Sequence, residues 1–293
     1  KGTFLIDVKP KPKYLFEILS DTLKSANKKY NTIIEWYIMV SKENKEKLNK
    51  NVLFVFQPAE ETDGGAENII NTGIIQKYNV AMALGFHVMN DIPAGKVMIK
   101  SGALMASPDE FYIDIIGKGG HGAMPRVCID PIMTASAIIP RLNAITNMDL
   151  GDTAGQVVQC CTINAGTSYN VIPGVCKISG TIRSFSDATR EKIPQLMENI
   201  VKEETSKTHT SYNVDFVFRY PPLVNSADVA ESVQKKLINT LGDVVVNWGK
   251  PLMLGEDFAY FAKEVPSLFM FLGTGNEEKG ITKPLDLPVP GAP

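Results

Sequence analysis

Two adjacent carboxylates, Glu60 and Glu61, stand in the stretch QPAEETDGG (57–65), directly after the apolar run NVLFVF (51–56). Neighbouring side chains leaving a strand end diverge, so one carboxylate can bind a metal ion while the other holds a water beside it, a geometry suited to hydrolysis. The same residues also suit a helix N-terminus, where acidic side chains are favoured by dipole and capping. His87, in ALGFHV (83–88), is expected at the end of the following strand, where ligands collect in α/β sheets. Alone, such a histidine is more often a core or rim residue. Taken with Glu60 and Glu61 it completes a mixed oxygen and nitrogen set of the kind zinc, manganese or cobalt prefers. His121 sits in GKGGHGAMP (117–125), whose glycines give a hairpin room for positive φ and close backbone approach. A phosphate loop is excluded there, because no Gly-Lys-Ser/Thr follows. Asn170, in TSYNVIPG (167–174), reads as a turn residue before a strand. Arg183, in SGTIRSF (179–185), alternates away from Ile178, Gly180 and Ile182 and so faces a different environment from the core.

The chain that must position these groups has 293 residues, 44% hydrophobic and 21% charged, a composition for one large domain or two ordinary ones. A net charge of -2 offers no field for a phosphate backbone, so nucleic acid is not expected as a partner. No membrane segment is expected either: TIIEWYIMV (32–40) is too short to span a bilayer and contains Glu35, and the first residues lack the apolar core of a signal peptide. Cys128, Cys160, Cys161 and Cys176 show no metal spacing. The vicinal pair would point to opposite faces of a strand, and all four are expected as free thiols in the cytoplasm.

Periodicity predicts alternating strands and helices. YLFEILSDTLKSANKK (14–29) reads as a helix, NVLFVF as a strand of the kind buried in a parallel sheet, GAENIINTG (65–73) as a helix closed by Gly73, and VAMALGFHV (80–88) as a strand ending at His87. From about residue 107 the order becomes strand, helix, two strands, helix, strand, which is the ferredoxin-like order. Longer α/β units return after Pro222. The expected organisation is an α/β catalytic domain in two parts, 1–106 and 219–293, with an α+β lid and dimerisation domain, 107–218, inserted between them.

FQPAEETDGGA, ALGFHV, GKGGHGAMP, DPI, NVIPG, GTIRSF and GEDFAYF…VPSLFMFLGTG, in that order, together resemble the amidohydrolase branch of the M20 metallopeptidase family, over about residues 41–285. That branch includes N-acyl-amino-acid amidohydrolases, hippurate hydrolases and auxin-conjugate hydrolases. The resemblance implies a binuclear divalent-metal site (zinc, manganese, cobalt or nickel) that hydrolyses the amide bond of N-acyl amino acids. It implies Glu60 as general base, Glu61 and His87 as ligands of different ions, and His121 as a lid histidine that reaches the partner subunit's site in a homodimer. Asn170 and Arg183 would hold the substrate's carbonyl and carboxylate. The family's Cys-Gly-His-Asp motif has no counterpart in residues 1–56, which contain neither Cys nor His, and Asp286 stands where the family has a ligand histidine. Weak metal binding and slow or absent turnover are therefore expected of this chain. A noncatalytic dimeric binding or scaffold protein on the same fold is the alternative.

Overall fold

A computed structural model describes residues 2–6, 52–55, 57, 64–152, 154–247 and 249–276. The helix expected over 14–29 lies outside them. Two sheets organise the chain. The larger has six strands in the order β13-β4-β14-β3-β1-β2. Its members are β1 (Gly2–Ile6), β2 (Val52–Val55), β3 (Met82–Pro93), β4 (Val97–Ile99), β13 (Val245–Asn247) and β14 (Ser267–Gly275). β14 lies between β3, to which it is parallel, and β4, to which it is antiparallel, so the late sequence completes a sheet begun by the early sequence.

Both faces of this sheet are covered. On one face Phe269 and Phe271 pack with Met98, Leu53, Val55 and the rings of Phe258 and Phe261, against the short helices α1 (Ala66–Asn71), α2 (Ile74–Tyr78) and α6 (Ala259–Glu264). On the other, Leu268 and Ile99 meet Ala230, Val233 and Leu237 of α5 (Ala227–Leu241). Alternate residues of β14 thus serve opposite faces, as a strand covered twice requires.

Two sequence expectations are corrected here. β2 is not a strand inside a parallel sheet: it is the edge strand and runs antiparallel to β1. Its burial alternates, with Leu53 and Val55 inward, the pattern of a strand whose two faces are unequally covered. β3 does not end at His87 either but continues to Pro93, because the parallel ladder with β14 runs on from Phe271↔His87 to Gly275↔Pro93.

The second sheet, ordered β11-β6-β10-β8, is built from β6 (Asp109–Ile116), β8 (Gln156–Ala165), β10 (Val175–Ser184) and β11 (Ser211–Val217). Between these strands run α3 (Pro131–Ala144) and α4 (Asp187–Thr208), giving the ferredoxin-like order and placing both helices on one face. Phe111, Ile113 and Ile115 of β6 are wholly buried there against Ala135, Ile138 and Leu142 of α3 and Ile193, Met197 and Val201 of α4. Each such residue contributes about 2 kcal/mol through burial. α4 starts at Ser186, whose Oγ accepts from the Thr189 amide at 3.2 Å. Ser186→Ala is expected to lower stability by about 1 kcal/mol, read as a lower midpoint in thermal or denaturant unfolding with an unchanged m-value.

The ladder between β8 and β10 shifts register at Ser179/Gly180, with Cys160 opposite Gly180 and Thr162 opposite Ser179. The vicinal thiols divide as expected: Cys160 packs against the core of this sheet and Cys161 is exposed. Burial pushes the Cys160 thiol up to about 11, so its thiolate fraction at pH 8 is on the order of one in a thousand. Iodoacetamide at pH 8 should therefore label Cys161 well before Cys160, as read by peptide mass spectrometry. Equal rates would mean that the β8 edge opens.

The two chain crossings between the sheets are tied together. Arg190 donates to both oxygens of buried Asp109 at 2.7 and 2.6 Å, and the Arg219 amide donates to the same carboxylate at 2.9 Å. Ser107 on the way in pairs with Ser184 through backbone and hydroxyl, each at 2.9 Å. Lys263 of α6 forms an ion pair with Asp187 of α4.

Candidate metal and substrate site

The strand register decides what can meet at the large sheet. Thr3 pairs with Val55 on one side and with Gly85 on the other, so Val55 and Gly85 share a rung. β1 is antiparallel to both neighbours, which makes β2 and β3 parallel to each other. Gln57 follows Val55 by two residues in the sequence, as His87 follows Gly85. In the sequence, Glu60 and Glu61 follow Gln57 by three and four residues.

His87 is half-buried, with its ring 6.4 Å from that of Phe271. Its Nδ1 lies 2.5 Å from the Val88 carbonyl oxygen. A carbonyl can only accept, so Nδ1 is the donor of this contact and Nε2 is the ring nitrogen left for a metal. Among the described residues no three of His, Cys, Asp and Glu stand together as an ion site. Glu60, Glu61 and Asp286 lie outside the described residues. The donor chemistry of His87 fits a divalent metal, whereas one imidazole alone cannot close a site.

The ferredoxin-like unit carries the other candidates. A small ribbon of β7 (Gly120–His121) and β9 (Val171–Ile172) pairs His121 with Val171, and the Gly122 amide donates to the Asn170 carbonyl at 2.8 Å. His121 and Asn170 are thus neighbours, both exposed. Glycine is needed for close approach here and not for positive φ: a Cβ on Gly119 would meet the Ile172 carbonyl oxygen at 2.7 Å, and none of the four glycines at 117, 119, 120 and 122 has positive φ. The Ala123 amide donates to His121 Nδ1 at 3.1 Å, and the Ser168 hydroxyl donates to Asn170 Oδ1 at 2.7 Å. Both acceptors being occupied, the ribbon presents the His121 Nε2–H and the Asn170 amide N–H groups outward, two donors suited to a developing oxyanion.

Arg183 lies elsewhere. The ribbon adjoins the Val175 end of β10, and Arg183 is at its other end, about 25 Å away along the strand. The two groups cannot meet on one substrate within a single chain. Arg183 is half-buried, and Nη1 donates to the Ile182 carbonyl at 3.1 Å. Burial lowers its pKa while Asp109, Glu110 and Cys161 oppose that. Glu110 is occupied by Tyr112 at 2.6 Å and Arg219 at 3.1 Å, and Arg183 has no ion pair among the described residues. A half-buried guanidinium without a carboxylate partner is matched to a carboxylate from outside.

Sequence reasoning gave Asp257 no role, although it stands in the quoted GEDFAYF. Its buried carboxylate accepts from Gln57 Nε2 at 2.7 and 2.6 Å and from the amides of Gly65 and Ala66 at 2.8 and 3.1 Å. Its partners are 191 to 200 residues away in the chain, beyond the reach of any local signal.

Comparison with known proteins adds four findings. Residues 33–285 match the model of peptidase family M20/M25/M40. The chain is 34% identical over 251 residues to thermostable carboxypeptidase 2 of Saccharolobus solfataricus, covering 85% of this chain and 62% of that protein. It is 32% identical over 241 residues to the N-acetylcysteine deacetylase of Bacillus subtilis, covering 82% and 62%. Among solved structures, a Bacillus subtilis dinuclear metal-binding peptidase of the M20 family superposes with a TM-score of 0.68 at 29% identity, covering 81% of this chain and 60% of that one. The chain thus spans about three-fifths of the length of these relatives.

Proposed function

The chain belongs to peptidase family M20/M25/M40, and from that premise we propose that it serves metal-dependent hydrolysis of the amide bond of N-acyl amino acids. The observation that supports this reading is His87, whose Nδ1 is engaged by the Val88 carbonyl so that Nε2 is the nitrogen left for a metal, in a chain whose sequence also holds Glu60 and Glu61. A relative that deacetylates N-acetylcysteine and another that is a carboxypeptidase agree with an amide beside a free carboxylate.

Glu61 and His87 would hold divalent metal, with Asp286 as a third protein ligand, and bound metal supplies a water of lowered pKa. Glu60 takes the proton of the attacking water and returns it to the leaving nitrogen. Arg183 binds the substrate carboxylate through its paired N–H donors. His121 and Asn170 stabilise the oxyanion, and their distance from Arg183 makes them donors to the site of a second copy. The edge of β8, exposed from Gln159 to Ala165 apart from half-buried Cys160, offers the unpaired backbone for such a homodimer. Three candidate ligands fall short of the three or so per ion that a closed pair requires, so metal is held weakly and zinc, manganese, cobalt or nickel must be supplied in excess.

The test is product formation from N-acetyl and N-benzoyl amino acids by the purified chain with added Mn²⁺ or Zn²⁺. Turnover that depends on metal supports the reading. The half-buried Arg183, which has no ion pair among the described residues, also suits a second reading, a noncatalytic dimeric binding protein. Calorimetric binding of N-acyl amino acids that disappears with Arg183→Ala, with no product formed under any metal, would select it.

A further inference from the structure

Arg183 is turned away from the core of the ferredoxin-like unit. Along β10 the residues packed with the two helices are Cys176, Ile178 and Ile182, so Lys177, Thr181 and Arg183 stand on the opposite, helix-free face. β6 alternates in the same way: Phe111, Ile113 and Ile115 go inward, and Glu110, Tyr112 and Asp114 outward. The ladder sets Thr181 directly opposite Glu110. Arg183, two residues further along β10, is therefore the diagonal neighbour of Glu110 on the outer face, roughly 7 Å from it at Cα.

Two carboxylates lie beside this guanidinium, and they differ in what they present to a ligand. Asp109 points inward: its side chain is 1% exposed and both its oxygens accept from Arg190. The Glu110 side chain is 34% exposed and is fixed from two sides, by the Tyr112 hydroxyl on Oε2 at 2.6 Å and by Arg219 Nε on Oε1 at 3.1 Å. The Tyr112 hydrogen bond, the largest influence, outweighs burial and with Arg219 keeps the carboxyl below its ordinary pKa, so Glu110 is ionised at neutral pH. Arg219 follows β11, and β6 lies between β10 and β11. Seen from Arg183, the negative group comes first and its compensating cation stands behind it.

An amino acid carries its side chain on the carbon next to its carboxylate. A carboxylate seated on Arg183 thus brings that side chain within a few bonds of Glu110. We propose that Glu110 is the specificity-determining residue for the amino-acid half of the substrate, rejecting acidic side chains and admitting neutral and basic ones. This rests on the reading of Arg183 as the anchor of the substrate carboxylate. Like charges this close in a partly dehydrated setting repel enough to change affinity by about tenfold, even with a cation behind one of them.

N-acetyl-glutamine and N-acetyl-glutamate have the same shape and differ by one charge, so the ratio of their affinities isolates the effect. Dissociation constants by calorimetry, and kcat/KM with Mn²⁺ in excess, are measured for both compounds on the unaltered chain, Glu110→Gln and Arg219→Gln. The unaltered chain should favour the glutamine compound by about tenfold or more. Glu110→Gln should bring the ratio to within about threefold of one, and Arg219→Gln, which takes the compensating cation away, should raise it about threefold or more above that of the unaltered chain. A residue that only supports the strand would shift both compounds together; a ratio unchanged in both variants, or near one in the unaltered chain, would overturn the proposal. The two readouts separate the failures. No turnover with the affinity ratio as expected would count against the hydrolase reading alone, whereas binding of neither compound, or binding that survives Arg183→Ala, would remove the anchor and the proposal with it.

Discussion

Glu60→Gln is expected to lower kcat for N-acyl amino acid hydrolysis by about 10³-fold, near the middle to upper end of what a positioned general base contributes. The substitution keeps the side chain's size and removes only its ability to take a proton. Metal uptake, thermal midpoint and KM should stay close to those of the unaltered chain. Glu61→Gln provides the contrast: it should also remove activity, but together with bound metal, measured by elemental analysis after dialysis against Mn²⁺. The two neighbours then separate by what is lost, proton transfer in one case and the ion in the other. Equal loss of metal in both variants would show that Glu60 is a ligand and would reverse the assignment.

Where the sequence was informative, the reason was periodicity. β6 alternates buried Phe111, Ile113 and Ile115 with outward Tyr112 and Asp114, and that pattern is visible without coordinates. The division of Cys160 from Cys161 follows from the same two-residue repeat. What periodicity could not supply was partner choice. NVLFVF looks like any buried strand, and only its pairing with residues 2–6 makes it an antiparallel edge. His87 looked terminal because Asn90 and Asp91 break the apolar run, yet β14 carries the ladder past them. His121 and Asn170 were legible as separate motifs, but their adjacency depends on a ribbon of two-residue strands that no pattern announces. Asp257 was the most hidden of all. Nothing around an acidic residue before a short helix indicates that it caps a different helix nearly 200 residues earlier.

Arg183→Ala should raise KM for N-acyl amino acids by about 100-fold and leave kcat within a few fold. That magnitude corresponds to about 3 kcal/mol, the upper end for hydrogen bonds to a charged partner in a partly dehydrated setting. The argument rests on what surrounds the guanidinium. Glu110 would be its natural partner, but Tyr112 and Arg219 hold both Glu110 oxygens, and the Tyr112 hydrogen bond, the largest influence, keeps that carboxyl below its ordinary pKa. Glu110 is therefore charged and occupied, and it supports Arg183 electrostatically without neutralising it through contact. A substrate whose carboxylate is replaced by a carboxamide should bind the unaltered chain poorly and the Arg183→Ala chain no worse, because the interaction has already been lost. Arg183→Lys should fall between, since an ammonium keeps the charge but not the two parallel donors. A loss that is equal for the carboxylate and the carboxamide would place Arg183 outside the substrate site and leave it as a strand residue packed beside β8.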